Sequence, residues 1–363
     1  MSEPVEVSWF AALCDDDYRQ LGITEPDLLS SWSHCRDIVL DADALGFDNV
    51  LLPSGYQLGI DSVAFGAGIA PLTDRIHLLL AVRMGEMWLP QLARQLATID
   101  QMTGGRLTVN VISSDLPGQT LESAPRYRRT LEHMQGLRTL LNGQPLQLDG
   151  EFVHLDLEPP RIARETSGCP PLYFGGFSDA AKATAAQAAD VFLTWPDTVA
   201  DVAATVSEMR ERAREFDRTL RYGLRTHVIV RETEAEARAA AQHLVSALDP
   251  GTGTEIRQRS LDAASIGVAR QSELRAESDA DGYVEANLWT GIGRARSGAG
   301  AAIVGDPDQV VAKLRAYQAV GIEAFILSGY PHRDEADLVA RYVLPALNHQ
   351  PLRPRMANDT SRR

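Results

Sequence analysis

Arg225 and His227 stand two residues apart in the run Tyr222-Gly223-Leu224-Arg225-Thr226-His227-Val228-Ile229-Val230-Arg231-Glu232, which alternates like a β-strand. Strand side chains point alternately to opposite faces, so this pair shares one face. A guanidinium beside an imidazole on a face that should be core is costly unless an anion or a reacting group lies against it. The plainer reading, an arginine tied to a nearby carboxylate, suits an isolated pair. This pair is not isolated.

The elements that must position it follow from the rhythm of the chain. Apolar runs at residues 5–12, 49–53, 76–82, 107–112, 171–174, 191–194, 225–230 and 324–327 alternate with helical patterns. Alternating strand–helix units predict parallel strands, and eight of them predict a closed (β/α)8 TIM barrel. An open dinucleotide-binding sheet would want Gly-x-Gly-x-x-Gly after its first strand, where this chain has Cys14-Asp15-Asp16-Asp17-Tyr18. One barrel domain is expected over residues 1–349, with a flexible Pro/Arg-rich tail at 350–363. Insertions interrupt it at 113–124, at 147–168 (a hairpin plus loop), and at about 249–300, which reads as an active-site lid.

Barrel enzymes keep their chemistry at the carboxyl ends of the strands. There the sequence places Cys14, Ser54, Tyr56, Arg83, Asn110, Trp195, Ser328, Tyr330 and His332, with Arg296 closing the lid segment. After the fifth strand, Gly175-Gly176-Phe177-Ser178-Asp179 leads into a helix. Paired glycines admit close backbone approach, and a helix start offers free N–H groups to a phosphate. Ser178 or Asp179 serves equally as a plain N-cap, and Trp195 or Tyr330 taken singly as a core aromatic.

A formal charge of −14 argues against a nucleic-acid or anionic-membrane surface, and it makes an inward arginine more telling. The cysteines lack CxxC spacing and the histidines lack metal-ligand spacing, so reduced thiols and no metal site are expected. Without a spanning apolar segment or a signal-peptide pattern, the expected location is the cytoplasm.

Several segments resemble the bacterial-luciferase-like flavin monooxygenases, and within them the FMNH2-dependent alkanesulfonate monooxygenases, over roughly residues 5–348. They are Ala93-Arg94-Gln95-Leu96-Ala97-Thr98-Ile99-Asp100, Pro170-Pro171-Leu172-Tyr173-Phe174-Gly175-Gly176, Leu193-Thr194-Trp195, the Arg225–His227 run, Asn287-Leu288-Trp289, Ala295-Arg296-Ser297-Gly298-Ala299-Gly300 and Leu327-Ser328-Gly329-Tyr330-Pro331-His332. The resemblance implies a two-component system. A separate NAD(P)H-dependent flavin reductase supplies reduced FMN, O2 is co-substrate, and the C–S bond of an organosulfonate breaks to give an aldehyde and sulfite. It carries substrate binding onto Trp195, Arg225, His227, Arg296 and Tyr330, and catalysis onto His227, Arg296 and Tyr330. For FMN it points to Asn110, Tyr127, Gly175, Gly176 and Ser178, and it implies a homodimer or homotetramer. A sulfonate is anionic at any physiological pH, and guanidinium groups offer always-charged planar donors to it.

Two departures mark this chain. Cys14 stands where the family often has His, and Gly55-Tyr56-Gln57-Leu58-Gly59-Ile60-Asp61 replaces the usual Gly-Arg-Ser-Cys-Glu-Asp. The anion-binding half is kept and the other half remodelled, which favours a bulkier or hydroxylated sulfonate, such as the sugar sulfonate sulfoquinovose. The competing readings are a luciferase-like monooxygenase or deazaflavin-dependent dehydrogenase with a non-sulfonate substrate, and a non-catalytic barrel.

Overall fold

The computed structural model describes residues 3–162, 168–258 and 265–352. Eight parallel strands close a barrel: β1 (Glu6–Phe10), β2 (Asn49–Leu52), β3 (His77–Arg83), β4 (Leu107–Ile112), β5 (Leu172–Gly175), β6 (Val191–Thr194), β7 (Arg221–Val230) and β8 (Ala324–Ser328). Each pairs with its neighbours in order, and β8 pairs with β1 to complete the ring. Phe10, Leu51, Leu79, Ala81, Tyr173 and Ile326 fill the interior, while a larger apolar layer lies between strands and helices. The helices start where the chain offers caps: Ser178 accepts from the Ala181 N–H, and Thr233 and Asp306 form capping boxes.

Strand β7 begins at Arg221, four residues before the apolar run that announces it, and its two halves have different partners. Arg221–Leu224 pairs with β6, whereas His227–Val230 pairs with the extra strand Ala302–Gly305. That extra strand is antiparallel to Leu288–Trp289, so the loop carrying Arg296 is tied to the strand carrying His227.

The expected hairpin is Leu146–Asp149 against His154–Leu157. The lid segment is no plain loop: it contains helices Pro250–Gln258 and Ile266–Ala276, with residues 259–264 outside the described part. At the opposite end, the Leu352 N–H donates to Glu6 Oε2 at 2.9 Å and its side chain is buried in the barrel floor. The chain is thus still packed at 350–352, and the rest of the expected tail lies outside the described residues. Among the described residues, no helix is long and apolar enough to cross a membrane and no metal-ligand cluster occurs.

His77, at the start of β3, is lowered to about 4 by burial and then by Arg106. The unfolded chain takes up this proton near pH 6.5 and the folded chain does not, so His77 favours unfolding as pH falls from 6.5 toward 4. About 2 kcal/mol should be lost at pH 5 on this account. Urea midpoints of His77→Gln should therefore fall less between pH 7.5 and 5 than those of the unaltered chain; parallel pH curves would exclude this source.

Candidate active site

Arg225 and His227 project from one face of β7 into the barrel mouth, and both are buried. The Arg225 guanidinium lies 4.4 Å from the Phe10 ring centroid, and His227 Nδ1 is 2.7 Å from Oγ of Ser328, its register partner on β8. Arg225 Nη1 donates to the Thr226 carbonyl at 3.0 Å. Arg225 Nη2 and His227 Nε2 have no hydrogen-bond partner among the described residues, although the His227 ring lies near the Ala299 carbonyl. Burial, then the charge of Arg296, lowers Arg225 to about 9, which leaves it cationic at neutral pH. Burial, then Arg225 and Arg296, holds His227 well below its ordinary value, so this imidazole is neutral at pH 7.

Arg296 hangs over the same mouth. Its Nη1 donates to Asp16 Oδ2 at 2.6 Å and to the Tyr330 hydroxyl at 2.7 Å, and its guanidinium lies 5.3 Å from the Phe10 ring centroid. Burial works against this charge, but Tyr330 and Asp16 outweigh it and the pKa is raised. Burial also raises the Tyr330 hydroxyl, against the pull of Arg296. Arg296 is therefore a paired charge, whereas Arg225 is without an anionic hydrogen-bond partner among the described residues.

Two cavities meet at Ile112. The first, about 290 Å³, is lined by Cys14, Asp16, Tyr56, Arg83, Arg296 and Tyr330. Both segments that depart from the alkanesulfonate pattern open onto it. Burial, then Asp16, pushes the Cys14 thiol up to about 12, so it is no thiolate nucleophile at neutral pH. The second cavity, about 320 Å³, gathers Asn110, Tyr127, Gly175, Gly176 and Ser178 with Trp195 and Arg225. All five expected FMN residues thus share one cavity, and Trp195 and Arg225 share it with them instead of with Arg296 and Tyr330. His227 is buried between Arg225 and Tyr330, its ring centroid 5.2 Å from that of Tyr330.

The second cavity fits a flavin phosphate. A Cβ on Gly176 would lie 2.5 Å from the Ala181 Cβ, so glycine lets the turn pack closely against the helix start that borders the cavity. Helix Asp179–Ala188 starts beside it, its N-cap Ser178 lining the cavity. Arg126 lines the wall with its Nε buried and without a partner among the described residues. The lid docks over Trp195: Gly267 packs against Trp195 and Phe177, and Arg270 grips Asp197 with two hydrogen bonds of 2.7 and 2.8 Å.

Asp16, Arg126 and Phe10 are site residues that the sequence did not single out. Asp16 lies in a run of three aspartates and Arg126 beside Tyr127, but nothing local marks Phe10 as the ring beneath both arginines.

The family model described as luciferase-like monooxygenase matches residues 6–324. The chain is 61% identical over 354 residues to the sulfoquinovose monooxygenase of Novosphingobium aromaticivorans, covering 96% of this chain and 98% of that protein. It is 51% identical over 348 residues to the sulfoquinovose monooxygenase of Agrobacterium fabrum, covering 95% and 90%. Among solved structures, the EDTA monooxygenase EmoA of Chelativorans sp. BNC1 shares the fold, with a TM-score of 0.75 at 16% identity over 95% of this chain and 93% of that one. With a match along most of the chain and a barrel mouth built around a buried arginine–histidine pair, the chain belongs to the luciferase-like monooxygenase family.

Proposed function

We propose that this chain is the oxygenase of a two-component system that desulfonates a sugar sulfonate, sulfoquinovose, using O2 and reduced FMN delivered by a separate NAD(P)H-dependent flavin reductase. Sulfonate, FMNH2 and O2 go in; aldehyde, hydrogen sulfite, FMN and water come out. The carbon bonded to sulfur is oxidised, and the C–S electron pair leaves with sulfite. The observation that carries this reading is the buried Arg225, whose Nη2 lacks a partner among the described residues on the wall of the second cavity. The names of the two relatives above supply the sugar sulfonate.

When bound, FMNH2 supplies the two electrons that activate O2. Asn110, Tyr127, Gly175, Gly176, Ser178 and Arg126 would hold it. Arg225 and Arg296 hold the sulfonate oxygens, with Trp195 and Tyr330 closing the walls. Neutral His227 has Nδ1 engaged by Ser328, which leaves Nε2 to receive or deliver a proton at the reacting carbon. Lid residues Ile266 and Gly267 cover the second cavity and exclude water.

The deciding experiment supplies purified protein with a flavin reductase, FMN, NAD(P)H and air, and measures sulfite from a panel of sulfonates. Sulfite from sulfoquinovose is the expected result; flavin reoxidation without sulfite from any sulfonate overturns the reading. For the cofactor, Arg126→Ala should weaken FMN about 10- to 100-fold, as loss of a charge-assisted hydrogen bond does. Riboflavin, which has no phosphate, should be unaffected, and an equal loss for both flavins would remove Arg126 from the phosphate site.

A further inference from the structure

The loop after β1 puts a carboxylate where an anion is expected to bind. Asp16 Oδ2 accepts from Arg296 Nη1 at 2.6 Å, while Oδ1 is buried and has no donor among the described residues. An ionised carboxylate only accepts hydrogen bonds, and so does a sulfonate. A plain alkanesulfonate drawn to the two arginines would bring a second acceptor-only anion beside Asp16 and leave Oδ1 unsatisfied. A sulfonate that also carries a hydroxyl group supplies the missing donor.

We infer that Asp16 is a specificity residue that selects hydroxylated over plain alkyl sulfonates by accepting a hydrogen bond from a substrate hydroxyl in the first cavity. This inference rests on the desulfonation reading above. The cavity suits a polyol: Asp15, Ser54 and Gln57 add polar groups to Asp16 along the loops after β1 and β2. Tyr330 accepts from Arg296 through its oxygen, so its own proton is free to donate to a further hydroxyl oxygen. A site built to bond a hydroxyl rejects the analogue lacking it far more strongly than an apolar site rejects a missing methylene, because the buried polar group is left unpaired. Carboxylate selection of a polyol also explains why the remodelled loops and the retained Arg296 share one cavity.

The test compares sulfoquinovose with hexanesulfonate on the intact chain and on Asp16→Asn, reading both sulfite turnover and binding by calorimetry. The intact chain should bind sulfoquinovose more tightly than hexanesulfonate, which needs no variant to check. In Asp16→Asn, kcat/KM for sulfoquinovose should fall about 10- to 100-fold, mainly through KM. Hexanesulfonate should lose far less, because a negative charge near its headgroup is gone, so the ratio of the two kcat/KM values should narrow by about tenfold or more. A loss of the same factor for both substrates would show that Asp16 only positions Arg296 and would overturn the inference. So would an unchanged ratio with no loss at all. Absence of sulfite from both compounds would sink the desulfonation reading, while the ratio of the two dissociation constants would still decide the role of Asp16.

Discussion

Arg225→Met should lower kcat/KM for the sulfonate by about 10²- to 10³-fold, the range seen when one member of a buried charge pair is truncated. The same change should leave the thermal midpoint unchanged or raise it. In the intact chain this guanidinium is buried with one backbone carbonyl at 3.0 Å and a ring face 4.4 Å away, and its Nη2 has no partner among the described residues. Burial is what lowers its pKa to about 9, the mark of a charge held where water cannot reach it. Methionine is shorter but unbranched and apolar, so it keeps the stem's contacts with no charge to desolvate, and the penalty disappears. A drop in stability with activity retained would mean that Arg225 is the structural arginine that an isolated pair would suggest. Thermal unfolding and steady-state sulfite release on the same preparation separate the two cases.

This contrast between stability and activity was legible in sequence only as a conflict of patterns. Arg225 and His227 break the apolar face of an otherwise regular strand, and such breaks mark functional positions because folding alone would not place them there. The Gly175-Gly176-Phe177-Ser178 turn was legible for the same reason: strand end, paired glycines and helix start are contiguous, and the fold keeps them together. Residues joined only by the closed barrel were not. Asp16 and Arg296 are 280 positions apart, and no local pattern announces their ion pair. The apolar run at 225–230 marks only part of strand β7, because residues 221–224 become strand through tertiary pairing with β6. The lid's helices were hidden by glycines at its ends. Helix Ile266–Ala276 has its support from outside the segment, from Asp197 and Trp195.

Arg296→Ala should cost turnover more than any other single change, about 10³-fold in kcat/KM, with a smaller effect on the fold. Two losses combine. The sulfonate loses one of its two guanidinium groups, and Asp16, now without its cation, repels the anion it formerly helped to frame. The second loss can be undone. In the Arg296→Ala/Asp16→Asn pair the repulsion is gone, so with hexanesulfonate, which has no hydroxyl for Asp16 to hold, part of the activity should return, about tenfold over Arg296→Ala alone. Such recovery is coupling between residues in contact, whereas independent sites would add their losses. Arg296→Lys tests geometry instead of charge. An ammonium can reach Asp16 and Tyr330 but lacks the second nitrogen that guanidinium could turn to a sulfonate oxygen, so the fold and the Asp16 pair should survive with activity still well below that of the intact chain. If Arg296→Lys is fully active, position 296 supplies charge alone. If the double variant is no better than Arg296→Ala, Asp16 exerts no repulsion in the working site, and the ion pair serves only to hold the lid's edge to β1.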